Sequence, residues 1–242
     1  MELSYDLIAR RIDHSLLGPT MTTDELEAGC RLALVYDVAS VCIKPYAVSL
    51  ARSILGGSRT AVGTTIGFPH GGHTSAIKVA ESRQAIADGA TELDMVINIG
   101  QARSGDWDAV SADIGAITRL AHESGALVKV IFENCYLDDD QKARLCAICG
   151  DHAVDYVKTS TGYGTGCFTS HDLELMRRLS TPTVKLKAAG GIRDLDGAIA
   201  AVKLGCDRIG ASKTAEILDA LRARLEGRAE VSTAVPRGTD NY

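Results

Sequence analysis

The 242-residue chain has no run of about 18 consecutive apolar residues, so nothing in it reads as a transmembrane span. Residues 1–17 lack the continuous apolar core of a secretory signal, and the expected location is the cytoplasm. A block of basic residues is missing too. With 26 Lys and Arg against 31 Asp and Glu, the net charge is -5, which argues against nucleic acid as a partner. The six histidines form no H-E-x-x-H or comparable cluster, so no metal centre is expected. His70 and His73 stand in a glycine-rich segment after a strand and read as loop residues. Seven cysteines, an odd number dispersed along the chain, suit reduced thiols better than a disulfide framework. Cys146-x-x-Cys149 lacks a second pair and falls in a helical segment, which argues against zinc or redox roles.

What is present is alternation. A composition 45% hydrophobic and 24% charged supplies a sizeable core for a globular protein. Short β-rich segments at 11–15, 40–44, 60–67, 92–98, 127–133, 156–160, 184–188 and 208–212 alternate with amphipathic segments such as 24–36, 76–88, 107–123, 172–179 and 195–204. Gly89, Gly125 and Gly205 follow three of the helical segments as C-cap residues would. Eight strand-helix units in a length near the roughly 250 residues typical of the fold predict a single-domain α/β protein, a (β/α)8 TIM barrel. The barrel is expected over residues 1–228. Residues 229–242, with Pro236, Gly238 and little apolar periodicity, are expected to form a loosely ordered tail.

Side chains alternate along a strand, so each segment divides into two faces. One face of 92–98 carries Leu93, Met95 and Ile97, and the other Glu92, Asp94, Val96 and Asn98. The segment 127–133 sets Val128, Val130 and Phe132 against Leu127, Lys129, Ile131 and Glu133. Val184, Leu186 and Ala188 oppose Lys185 and Lys187, and Val157 opposes Lys158. Inside a jacket of helices the apolar face points outward, which sends Lys129, Lys158, Lys185 and Lys187 into the barrel with Asp13, Glu92, Asp94 and Glu133 as counter-charges. The alternative is a solvated face of an open sheet. A lysine beside another cation in a dry site has its amine pKa lowered and becomes a nucleophile suited to Schiff-base chemistry.

Two glycine motifs fail as nucleotide sites. Cys167 breaks the fingerprint begun by Gly162-Tyr-Gly-Thr-Gly166, and in Gly210-Ala-Ser-Lys-Thr214 the residue before Lys213 is serine rather than glycine. Gly190-Gly191 and Gly210-Ala-Ser212 instead follow the last two strands, where barrels bind phosphate through backbone N–H groups. The alternative is that these glycines serve turns alone.

Val157-Lys-Thr-Ser-Thr-Gly162 and Leu186-Lys-Ala-Ala-Gly-Gly-Ile-Arg193 resemble the two lysine motifs of the deoxyribose-phosphate aldolase family. Ile12-Asp-His-Ser-Leu-Leu17, Ser40-Val-Cys-Ile43, Glu92-Leu-Asp-Met-Val96 and Arg208-Ile-Gly-Ala-Ser212 resemble further segments of it, in order. The resemblance implies a class I aldolase that splits 2-deoxy-D-ribose 5-phosphate into acetaldehyde and D-glyceraldehyde 3-phosphate with no metal or organic cofactor. It implies Lys158 as the Schiff-base lysine, Lys187 as the neighbouring cation and Asp94 as the acid/base partner. Thr161, Gly162, Gly190, Gly191 and Ser212 would hold the phosphate and Asp13 a substrate hydroxyl. Cys42 would lie near the pocket as a buried thiol. Partners are then a small phosphorylated sugar and aldehydes, with a homodimer by family analogy. The chain departs from many relatives in having Lys213 in place of a second serine, and from some in having Tyr163 in place of lysine. A terminal tyrosine, Tyr242, either reaches over the pocket or ends an idle tail. Rival readings are a lysine aldolase for another aldehyde donor or acceptor, a sugar-phosphate-binding barrel with a structural ion network, and a barrel isomerase using acid–base chemistry alone.

Overall fold

A computed structural model describes residues 2–227 of the chain. The expected tail and Tyr242 lie outside the described residues. Eight parallel strands close into a barrel in sequence order: β1 (Ile12–Leu16), β2 (Ser40–Ile43), β3 (Ala61–Ile66), β4 (Glu92–Val96), β5 (Leu127–Ile131), β6 (Tyr156–Lys158), β7 (Lys185–Ala189) and β8 (Arg208–Ala211). Closure comes from β8 pairing with β1, Asp13 opposite Gly210. The open-sheet alternative is thereby excluded. The helices, in chain order, are α1 (Tyr5–Ala9), α2 (Thr23–Tyr36), α3 (Val48–Leu55), α4 (Ser75–Ala87), α5 (Ile99–Arg103), α6 (Trp107–Glu123), α7 (Asp139–Asp151), α8 (Ser170–Leu179), α9 (Leu195–Lys203) and α10 (Thr214–Leu225). Among the described residues no helix is long and apolar enough to cross a membrane.

Local chemistry explains the boundaries. Thr22 and Glu25 form a capping box at the start of α2, and Asp138 and Gln141 form another at α7, so donors left over at those N-termini find side-chain acceptors. Gly89, Gly125 and Gly205 adopt φ of 108°, 73° and 89°, the left-handed backbone that ends α4, α6 and α9. The outward rows of the strands, including Val41, Leu93, Met95, Val128, Val130, Val157 and Leu186, join the helices in one continuous apolar core.

One ion pair interrupts that core. Lys78 of α4, fully buried, donates to Asp113 Oδ2 of α6 at 2.6 Å and to the Val96 carbonyl at the end of β4 at 2.8 Å. The pair fastens two helices to the strand that carries Asp94. Gly67, at φ 64°, makes room for it, since a Cβ there would lie 2.8 Å from Lys78 Cε. Cys146 and Cys149 sit buried in α7 as free thiols, and burial pushes Cys146 up to about 11.

Candidate active site

Strand register places the charges. Lys158 pairs with Lys187 across β6 and β7, and Lys187 pairs with Arg208 across β7 and β8. Asp94 pairs with Lys129 across β4 and β5. Neighbours in register share a face, so these side chains converge inside the barrel. There Lys129 Nζ donates to Glu92 Oε2 at 2.6 Å and Asp94 Oδ1 at 2.8 Å. Lys158 and Lys187 each donate to the other Asp94 oxygen, Oδ2, at 2.7 Å, and Lys187 also lies 2.5 Å from Asp13 Oδ2. All six of these ions are at most 3% exposed.

The two central lysines shift in opposite directions although burial acts on both in the same sense. Desolvation lowers the Lys158 pKa, Lys187 adds to the lowering, and Asp94 only partly offsets them. For Lys187 burial also disfavours the charge, but Asp13 and Asp94 outweigh it and the pKa is raised. Burial alone would raise the Asp94 carboxyl; Lys129, Lys158 and Lys187 together hold it well below the usual carboxylate range. The site therefore sets a carboxylate, Asp94, and an ammonium, Lys187, beside a lysine that gives up its proton more readily than an ordinary one.

A cavity of about 380 Å³ opens above this cluster. Lys158, Lys187, Asp13 and Cys42 line its inner end, and Thr161, Gly162, Gly190, Gly191 and Ser212 line it elsewhere. Nine of the ten sequence-derived candidates thus meet at one cavity, and the tenth, Asp94, reaches it through its two lysines. Gly190 and Gly191 have φ of 85° and 84°, a turn that presents backbone ahead of α9, while Ser212 precedes α10. Thr161 is fixed by Glu133, whose carboxylate accepts from Thr161 N at 3.2 Å and from its hydroxyl. Burial pushes the Cys42 thiol up to about 11, so it stays protonated.

Several side chains stand elsewhere than expected. Lys185 does not enter the interior ion cluster: as the first residue of β7 it is exposed, with its ammonium 5.5 Å from the centre of the Tyr156 ring. Arg208 takes that place, binding Asp13 and, at 3.0 Å, Glu92. Glu133 serves Thr161 rather than a lysine. Lys213 is exposed, pairs with Glu216 at 3.3 Å and is not among the cavity-lining residues. Tyr163 does line the cavity; its hydroxyl donates to the Leu17 carbonyl at 2.7 Å, and its ring meets Phe68 edge-on at 5.2 Å. Arg193, the last residue of the second lysine motif and not among the sequence-derived candidates, lines the cavity beside Gly191. His70 and His73 are exposed loop residues, and among the described residues no group of histidines, cysteines and carboxylates could hold a metal ion.

The closed barrel and its lysine-lined cavity define an α/β-barrel enzyme, and the chain belongs to the aldolase family described as DeoC/LacD, whose model matches residues 8–212. It is 54% identical over 224 residues to the deoxyribose-phosphate aldolase of Rhodopirellula baltica, covering 93% of each chain. Over 217 residues it is 44% identical to that of Thermococcus gammatolerans, covering 89% of this chain and 96% of the relative. Among solved structures, the deoxyribose phosphate aldolase of Aeropyrum pernix, described as having a unique tetrameric structure, superposes with a TM-score of 0.84 at 31% identity, covering 91% of this chain and 92% of that one. An aldolase designated QR15 superposes with a TM-score of 0.85 at 34% identity, over 90% of this chain and 98% of that one.

Proposed function

We propose that the chain is a class I aldolase that reversibly cleaves 2-deoxy-D-ribose 5-phosphate into acetaldehyde and D-glyceraldehyde 3-phosphate. One observation carries this reading: Lys158, a buried lysine with a lowered pKa, shares an oxygen of Asp94 with a second lysine at the inner end of a cavity lined by glycine loops. In the proposed sequence the Lys158 amine attacks the aldehyde carbon C1 of the open-chain sugar, and the carbinolamine loses water to give an iminium. Removal of the C3-hydroxyl proton turns that oxygen into the carbonyl of glyceraldehyde 3-phosphate. The C2–C3 electron pair flows to the iminium nitrogen and leaves an enamine on Lys158. A proton delivered to C2 forms the acetaldehyde iminium, and water hydrolyses it to release acetaldehyde and the amine. The iminium is the electron sink, so the sequence calls for no metal or organic cofactor.

Asp94, held as a carboxylate, and Lys187, held as an ammonium, would exchange these protons through a water. Asp13 would orient a substrate hydroxyl, with Cys42 a buried wall of the pocket. Thr161, Gly162, Gly190, Gly191 and Ser212 would hold the phosphate through backbone N–H and hydroxyl groups, with Arg193 adding charge. The same reading pairs two copies of the chain as a homodimer, which light scattering would test, and places the enzyme in the cytoplasm, supported by seven unbridged cysteines.

The test is turnover. Purified protein incubated with 2-deoxyribose 5-phosphate is expected to release both aldehydes, and Lys158→Met to release neither. Substrate consumed without aldehyde release, in a reaction that survives Lys158→Met but is lost in Asp94→Asn, would assign an acid–base isomerase instead.

A further inference from the structure

The ions inside the barrel do not balance. Lys129, Lys158, Lys187 and Arg208 form one continuous network with only three carboxylates, Asp13, Glu92 and Asp94. Fully ionised, that network carries one surplus positive charge in a space shielded from water, where uncompensated charge is costly. The surplus is relieved where a proton is held least firmly. Arginine does not release one. Lys129 is gripped by three carboxylates and Lys187 by two, whereas Lys158 has Asp94 alone and shares that oxygen with Lys187.

Arg208 is what tips the count. Its guanidinium takes Asp13 Oδ1 and both oxygens of Glu92, at 3.0 and 3.3 Å, and it is not among the cavity-lining residues. We propose that Arg208 is a positioning residue: acting through Asp13 and Glu92, it supplies the surplus positive charge that keeps Lys158 as a neutral amine.

The other groups around the two residues lie outside the network's ion pairs: none of them, Glu133 included, is paired with any of the four cations. Lys158 also faces the Cys42 thiol, which burial keeps protonated, and Glu133, which is committed to Thr161 and has exposed His70 within electrostatic reach. Arg208 also faces the Tyr156 ring at 5.7 Å, which exposed Lys185 covers as well, and stands within electrostatic reach of Arg10. None of these groups changes in the variants below.

The inference rests on Lys158 being the nucleophile, and the test separates the two. The rate of trapping an acetaldehyde adduct with cyanoborohydride would be followed against pH by peptide mass. In wild type the rate rises as Lys158 loses its proton. Arg208→Met is expected to move that limb to higher pH by about one unit, because one positive charge near the amine is gone. Glu92→Gln removes a negative charge and is expected to move it lower, and the double variant to bring it back toward wild type. Arg208→Lys, keeping the charge but not the fork, should leave the limb near its wild-type position. A residue needed only for packing would lower the rate without moving the limb, and removing the charge of its partner would not restore it. A limb unmoved in folded Arg208→Met, or not restored in the double variant, overturns the proposal. Should Arg208→Met not fold, Glu92→Gln decides: a downward shift supports the proposal, and an unmoved or rising limb overturns it. Absence of any adduct in wild type would overturn the aldolase reading itself.

Discussion

At Lys158 and His14 burial is the largest influence on the protonation of a base. Both lose solvation, and in both the charged form is disfavoured. His14, 4% exposed, places Nδ1 2.8 Å from the Thr214 hydroxyl, and burial pushes its pKa from 6.5 to about 4. Between those values the unfolded chain binds a proton that the folded chain refuses. Stability contributed by neutral His14 is therefore complete above pH 6.5 and is lost as pH falls toward about 4. Denaturant midpoints measured from pH 7 downward should decline, and His14→Gln should decline less steeply. Equal slopes would mean that His14 is not the group responsible. Residue identity was legible in the sequence here, and depth was not. Alternation along a strand tells which face a side chain takes but not how far along the barrel axis it lies. Lys185 and Lys187 share a face; one is exposed at the strand's first residue and the other is buried against Asp94. Arg208 had its own signal, since Ile209 and Ala211 are apolar and Arg208 and Gly210 alternate with them, but β8 is only four residues long and Gly210 leaves its inner face with one side chain to read.

Among the elements, the strands were legible because each has an outward row of Val, Ile, Leu or Met, and their number and order follow directly from that pattern. Six of the eight expected C-terminal ends run long, while those of β1 and β7 fall one residue short. The pattern predicts strands to Ser160 and Glu133, whereas pairing stops at Lys158 and Ile131. Thr159, Ser160, Phe132 and Glu133 remain buried beyond the ladder, and Phe132 N still donates to the Lys158 carbonyl at 3.0 Å and Thr159 N to that of Lys187 at 3.1 Å, so the alternation follows burial past the last paired residues. The overrun of β6 leads directly into Thr161, Gly162 and Tyr163, which line the cavity. At the loop after β7, Gly191 has φ 84°, and a Cβ there would stand 2.9 Å from Cys167 Sγ. Gly191→Ala should therefore shift the loop and weaken phosphate binding. KM for 2-deoxyribose 5-phosphate is expected to rise about tenfold, roughly one lost hydrogen bond, with kcat changed less. Unphosphorylated 2-deoxyribose should show no such rise in KM; an equal rise for both sugars would detach the loop from phosphate.

At the scale of the molecule, closure makes every strand depend on two neighbours, and the proposal of one barrel through residue 228 carries a thermodynamic consequence. Unfolding should be a single cooperative event. The chain's single tryptophan, Trp107 in α6, reports the helix layer, and circular dichroism reports the whole. Their denaturant transitions should coincide, and two separated transitions would contradict the single-domain reading. Closure also fixes the chemistry, because only a closed barrel brings Asp13 of β1, Asp94 of β4, Lys158 of β6 and Lys187 of β7 to one point. That convergence is tested most directly by reducing the protein with borohydride in the presence of acetaldehyde and locating the added mass by peptide mapping, with Lys158→Met and Lys187→Leu alongside. The expected result is a reduced two-carbon adduct on the peptide that holds Lys158, absent from Lys158→Met. No adduct in folded protein, or an adduct that persists in Lys158→Met, would contradict Schiff-base chemistry at Lys158.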